Sequence, residues 1–220
     1  GPSFSAQEIT HAINEAGLKY THYDSTELIT ETVKRLLDGK VIGWFVGRME
    51  FGPRALGARS IIANPLLGNM QSKLNLKVKK RESFRPFAPI MLQEEFERLF
   101  DQTHTSDYML FVHKILPQYQ TKPTSSGKNL IETINQERSV LPAITHVDFS
   151  SRIQTINPSF NPKMAQLLTA FKAQTGYGVL INTSFNVNNQ PIVCTPQQAI
   201  NSFMQTDIDC LILDGHLIDK

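Results

Sequence analysis

The stretch Val41–Ser60, "VIGWFVGRMEFGPRALGARS", decides how this chain is read. Its first seven residues are short and almost wholly apolar, the signature of a buried strand. A loop of glycines and a proline follows, carrying Arg48, Arg54 and Arg59 among Phe51 and Leu56. A surface loop seldom keeps large apolar residues beside its charges, and a core seldom keeps three arginines. The pattern implies a fixed backbone that holds guanidinium groups in place.

Upstream, "SAQEITHAINEAG" predicts a helix, with Ser5 and Glu8 as a capping box and Gly17 as its stop. "STELITETVKRLLDGK" predicts a second, with Leu28, Ile29, Val33, Leu36 and Leu37 on one face and Gly39 at its end. Downstream, "GNMQSKLNLKVKKRE" reads as a helix with a basic face, while Pro86 and Pro89 make "FRPFAPIML" extended. "QEEFERLF" is a short helix, and "DYMLFVHKIL" and "AITHVDFSSRIQTI" are strand-like. "NPKMAQLLTAFKAQTG" is an amphipathic helix, "YGVLINTSFN" a buried strand entering a polar loop, and "TPQQAINSFMQT" a helix capped by Thr195. "DCLILDGHLIDK" closes the chain as strand and edge. This alternation predicts one α/β (α+β) domain over residues 1–220, with a polar excursion near 115–140.

At 220 residues and 40% hydrophobic composition the chain can bury a substantial core. It has no apolar run long enough to cross a membrane and no secretion signal at its start, and two cysteines make no disulfide framework, so the expected location is cytoplasmic. The net charge of +2 is unevenly spread: residues 48–85 hold nine Lys/Arg against Glu50 and Glu82, a local +7, which leaves −5 for the remainder. Such an excess points to an anionic partner.

Four polar clusters follow or interrupt the strand-like segments: "GRMEFGPRALGARS", "KVKKRESFRPFAP", "THVDFSSRIQT" and "NTSFN". None of the chain matches a P-loop, an HExxH zinc motif or a GxSxG elbow, and its six histidines lack metal-ligand spacing. Arginines, lysines, hydroxyls and amides remain, a set suited to phosphates. Ser184 and Asn186 are good donors to a phosphate or a ribose, and Arg48 and His146 lie in the same clusters. Structural readings compete with some of them. Arg48 or Arg59 could pair with Glu50, Asn182 could close a strand end, and His146 and Asp148 could be a hydrogen-bonded pair.

These clusters, in this order, resemble the C-terminal domain of the carbamoyltransferase family, whose members carbamoylate nodulation factors, cephalosporins and aminoglycosides. The similarity rests on "GWFVGRMEFGPRALGARSIIANP", "LNLKVKKRESFRPFAP", "PAITHVDFSSRIQT" and "TGYGVLINTSFNVNNQPIVCTPQQA", spanning roughly residues 41–199. It implies a YrdC-like twisted mixed sheet flanked by helices around an open basic cavity. It also implies a domain that binds ATP and carbamoyl phosphate and forms carbamoyl adenylate. A separate N-terminal Kae-like domain of the same enzyme would hold iron and pass the carbamoyl group to an acceptor hydroxyl; nothing in this chain resembles it.

By the same resemblance Arg54, Lys79, Arg85 and Arg152 would act on phosphate or carbamoyl oxygens, and Asn182, Ser184 and Asn186 would close on the nucleotide. Magnesium would be held by phosphates and water, and no metal by the chain's own residues. The resemblance leaves a homodimer open. The chain departs from the family pattern at Asn64, Leu66, Phe149, Ser150 and Gln190. Two rivals stand beside this reading: a nucleic-acid-binding module, disfavoured for want of exposed aromatics among the basic residues, and a nucleotide-binding domain without turnover.

Overall fold

The computed structural model describes residues 1–121, 136–187 and 190–220. Most of the expected polar excursion therefore lies outside the described residues. Its described ends meet in a bridge between Gln120 and Ser139.

The first helix, α1 (Ala6–Glu15), begins at the predicted Ser5–Glu8 capping box. In α2 (Ser25–Leu37) the cap is Asp24, whose carboxylate accepts from Thr26 and Glu27. Leu28, Ile29, Val33 and Leu36 are buried as expected, but Leu37 is 41% exposed. It lies one position past Leu36, and the buried stripe of a 3.6-residue helix turns away there.

Val41–Gly47 contains strand β2 (Ile42–Phe45). The strand after it, β3 (Arg59–Ala63), emerges from the glycine loop and was not legible as a separate element. β2 and β3 are antiparallel neighbours. With β1 (Thr21–His22), β4 (Ala88–Leu92), β5 (Phe111–Lys114), β6 (Ser150–Ile156), β7 (Val179–Ser184), β8 (Cys210–Leu213) and β9 (His216–Asp219) they form one nine-stranded sheet, ordered β1-β9-β8-β2-β3-β7-β4-β6-β5. The pairs β2–β8 and β4–β6 are parallel and the others antiparallel, so the sheet is mixed as expected.

Period-2 alternation sends side chains to two cores. Phe45, Ile61, Ile181 and Leu211 pack with α1, α4 (Gln93–Phe100) and α6 (Pro196–Gln205). Trp44, Ile62, Ile90, Leu180 and Ile212 pack with α2 and α5 (Pro162–Thr175). Helices thus cover both faces. No helix among the described residues is long and apolar enough to cross a membrane.

The basic segment 68–82 does not form the long helix expected. A four-residue α3 (Met70–Lys73) passes into a π-turn over Leu74–Val78. Lys73 is taken by Asp209 at 3.1 Å and Lys79 is buried, so no continuous basic face results. The wider turn lets the backbone amides of Lys79 and Arg81 reach the carbonyls of Leu74 and Asn75.

Gly57, between β2 and β3, sits at φ +104°, and a Cβ there would lie 3.1 Å from both Asn161 Nδ2 and Ile90 Cδ1. Gly57→Ala combines backbone strain with a collision. It is expected to destabilise the fold by about 1–3 kcal/mol, read as a lower midpoint in chemical denaturation.

Candidate functional site

The loop between β2 and β3 is organised around one carboxylate. Glu50 Oε1 accepts from the backbone amides of Leu56 (2.6 Å), Ala58 (2.7 Å) and Arg59 (3.1 Å). The loop's carbonyls are taken from the other side. Ala55 accepts from Asn182 Nδ2, Leu56 from Gln154 Nε2, and Gly57 from both Trp44 Nε1 and Asn161 Nδ2. Four elements, β7, β6, β2 and the N-cap of α5, therefore fix the backbone that follows Arg54.

The three arginines of the opening stretch divide their duties. Arg59 is fully buried; its guanidinium lies 3.5 Å from the Phe45 ring centroid and donates to the carbonyls of Gly47 and Ala58. Burial lowers its pKa, and the nearby charge of Glu50 partly opposes that. Arg48 is exposed and donates to the carbonyl of Gly1. Neither forms an ion pair with Glu50, whose carboxylate is turned to the loop amides instead. Arg54 reaches a cavity of about 470 Å³, within the size range of small-ligand sites.

Arg81, Arg85, His146, Arg152, Asn182, Thr183 and Ser184 also line that cavity, with Phe87, Met109 and Val112 among its apolar walls. Of the predicted residues, Arg54, Arg85, His146, Arg152, Asn182 and Ser184 are brought together. Lys79, Asn186 and Arg48 are not among the lining residues. Lys79 clasps the end of β7. Its Nζ donates to Ser184 O (2.5 Å), Asn186 Oδ1 (2.7 Å) and Asn186 O (3.2 Å), with Ser184 Oγ at 3.3 Å. Burial, and secondarily Arg81, pulls its pKa down to about 7. Lys79 is therefore placed to hold the "NTSFN" turn rather than to touch a ligand.

Among the lining and supporting residues that escaped sequence reading, two bear on the arginines. Arg81 is one. Asn75 is the other: it is fully buried, accepts from Arg81 Nε at 2.6 Å, and donates to the carbonyls of Ser83 and Arg85. One amide thus presents both Arg81 and Arg85. A signal existed, since Asn75 sits at a core position among Leu74 and Val78, where a polar residue needs a partner.

The electrostatics are one-sided. No carboxylate lines the cavity, and none lies within ion-pair distance of Arg54, Arg81, Arg85 or Arg152 among the described residues. Burial, then Arg54, lowers the Arg152 pKa; burial, then Arg85, lowers that of Arg81. Glu82 partly opposes the shift of Arg81, but no carboxylate stands among the arginines in the lining itself. No group of three or more His, Cys, Asp or Glu that could hold a metal occurs among the described residues.

His146 and Asp148 do not bond directly. Ser150 Oγ bridges them, 2.6 Å from Asp148 Oδ1 and 3.3 Å from His146 Nδ1. The single hydroxyl hydrogen goes to the carboxylate, so Nδ1 carries the hydrogen of the neutral ring. Burial, then Arg152, lowers the His146 pKa against the pull of Asp148. The disfavouring of nucleic acid also loses force here, because Phe51 is 98% and Phe84 48% exposed, close in sequence to Arg54 and Arg85.

The profile of a family described as the Carbamoyltransferase C-terminus matches residues 33–220. An uncharacterized protein of Synechocystis is 47% identical over 224 residues, covering 100% of this chain and 36% of that protein. A 3'-hydroxymethylcephem-O-carbamoyltransferase of Amycolatopsis lactamdurans is 39% identical over 158 residues, covering 72% of this chain and 26% of that protein. The chain thus spans about a third or less of these relatives. The structure of full-length HypF in its phosphate- and nucleotide-bound form aligns at a TM-score of 0.49 and 16% identity, over 92% of this chain and 22% of that one. At that level the likeness carries no functional weight.

Glu50→Gln should loosen the Arg54 loop, since an amide oxygen is a weaker acceptor for three amides than a carboxylate. A loss of about 1–3 kcal/mol in stability is expected, with sulfate affinity falling in parallel. His146 supplies a pH signature. An anion in the cavity raises the imidazole pKa, so sulfate, a dianion throughout, should bind more tightly as pH falls from 7.5 to 5 and with proton uptake. Calorimetry in two buffers of different ionisation enthalpy reads this; in His146→Gln the dependence should flatten.

Proposed function

The chain belongs to the carbamoyltransferase family, as its C-terminal domain, and from that premise we propose that its cavity binds ATP and carbamoyl phosphate and forms carbamoyl adenylate. The observation that carries this reading is the convergence of four arginines from three separate segments on one cavity without a carboxylate. Two substrates that both bear phosphate need that much positive charge in one place.

The chemistry is a displacement at phosphorus. Water cleaves carbamoyl phosphate to carbamate and inorganic phosphate, with release of a proton; a carbamate oxygen then attacks the α-phosphorus of ATP, the bond to the β-phosphate oxygen breaks and pyrophosphate leaves. Negative charge is redistributed over the phosphate oxygens, and Arg54, Arg81, Arg85 and Arg152 would stabilise it as preorganised donors. Ser184, held by Lys79 and donating to Asn186 Oδ1, would orient the nucleotide. Magnesium would arrive with the nucleotide, because the cavity offers it no carboxylate. Transfer to an acceptor hydroxyl is assigned to a further domain of the same enzyme, in keeping with relatives about three times as long.

The exposed Phe51 and Phe84 favour one second reading, single-stranded nucleic acid stacked beside the arginines. Affinity for RNA that falls steeply with salt and exceeds that for ATP would move it ahead.

With ATP, magnesium and carbamoyl phosphate, the chain is expected to release pyrophosphate, measured as the extra phosphate that appears only when inorganic pyrophosphatase is added. Arg54→Ala should weaken ATP binding by about 1.5–3 kcal/mol. Arg152→Ala should lower turnover more than ATP affinity, because it belongs to a different cluster from the "NTSFN" turn. Absence of pyrophosphate release with ATP binding intact would leave a binding domain without turnover.

A further inference from the structure

We propose that Asn182 distinguishes a carbamoyl group from other acyl groups in this cavity, through a side-chain oxygen that has no donor. The proposal rests on the reading of the cavity given above and names the residue that would set its acyl specificity.

The orientation of the Asn182 amide is fixed by its neighbours. Gln154 Nε2 donates to the carbonyl of Leu56 at 2.9 Å, which makes Gln154 Oε1 an acceptor. That oxygen lies 2.7 Å from Asn182 Nδ2, and the carbonyl of Ala55 lies 2.9 Å from the same nitrogen. Both partners are acceptors, so the nitrogen must face them and the oxygen must face away. Asn182 Oδ1 is buried and has no partner, on a side chain only 1% exposed that lines the cavity. A buried acceptor left unpaired is costly unless something bound supplies the donor.

The cavity's other polar side chains point to which donor is missing. Its four arginines can only donate, and Ser184 gives its hydroxyl hydrogen to Asn186. The arginines serve the oxygens of an anion, while an N–H group can turn to Ser184 Oγ, Thr183 Oγ1 or His146 Nε2 as well as to Asn182 Oδ1, which alone among the lining residues is a buried side-chain atom without a partner. Asn182 Oδ1 accepts, and on a side chain that is 1% exposed it is the lining acceptor least able to turn to water instead. A phosphorylated carbamoyl ligand carries both chemistries, oxygens for the arginines and an NH2 for Asn182. An acetyl analogue presents a methyl group there and leaves the oxygen unpaired. Sites built around such a hydrogen bond reject the analogue lacking it more strongly than apolar pockets reject a change in size.

The test compares two stable ligands of equal charge, phosphonoacetamide and acetonylphosphonate, which differ by NH2 against CH3. Calorimetry on the wild-type chain should show a preference of about tenfold or more for the amide. In Asn182→Ala the preference, read as the ratio of the two dissociation constants, should collapse even where loss of the Ala55 contact weakens both ligands. In Gln154→Leu, which removes one of the two acceptors that orient the Asn182 amide, the preference should shrink. Equal binding of the two ligands by the wild-type chain overturns the assignment without touching the anion site, and this result needs no variant to fold. A wild-type preference for AMP over inosine monophosphate that disappears in Asn182→Ala, with the amide preference intact, gives the oxygen to the adenine amino group and also overturns it. Failure of the wild-type chain to bind either phosphonate removes the reading of the cavity together with the inference.

Discussion

The β2–β3 loop places backbone amides and carbonyls in the protein interior, where each needs a partner. Glu50 meets three of the amides, and Asn182, Gln154, Trp44 and Asn161 meet the carbonyls of Ala55, Leu56 and Gly57. An unmet buried group costs about 1–3 kcal/mol, so the loop takes one shape or is not folded at all. Arg54 is carried by that shape. The same contacts tie β6, β7 and α5 to β2, and the fold and the cavity therefore rest on one set of hydrogen bonds.

The cavity concentrates charge that folding by itself would disperse. Arg54 and Arg152 repel one another, as do Arg81 and Arg85, and burial adds to the cost for Arg81 and Arg152. What holds them is neutral scaffolding: Asn75 beneath Arg81 and Arg85, the Phe87 ring 4.8 Å from the Arg81 guanidinium, and the Glu50 loop behind Arg54. Carboxylates are excluded from the lining and placed behind it, as with Glu50, or at one remove, as with Asp148 beyond Ser150. Positive charge thus remains available to a ligand instead of being neutralised by the protein.

Lys79 and Arg59 show that a basic residue in a basic motif need not face the cavity. Both are buried, Arg59 at 0% and Lys79 at 4% exposure, and both donate to backbone carbonyls. Each sets the position of a neighbouring segment: Arg59 the entry of the arginine loop, Lys79 the turn carrying Ser184 and Asn186. The π-turn over Leu74–Val78 precedes Lys79 and Arg81, which the structure separates into a buried clasp and a cavity wall.

By itself the sequence determined the α/β class, the limits of α1, α5 and α6 within a residue or two, the extended run through Pro86 and Pro89, and the clusters that supply the cavity. Those features are local, written in periodicity, caps and the conformational limits of proline and glycine. The family followed from the same stretches. Only the tertiary structure decided which cations meet. Arg54, Arg85 and Arg152 lie far apart in the chain and converge because β3, β7, β4 and β6 are successive neighbours in the sheet, a pairing that no local pattern encodes. It also turned Lys79 inward, broke the 68–82 helix into a π-turn, and left Leu37 outside the core. Gln154 and Asn182 stood at in-facing positions of apolar strands, so their burial was readable. Their partners were not, because hydrogen-bond complementarity between segments exists only once strand order has brought them together.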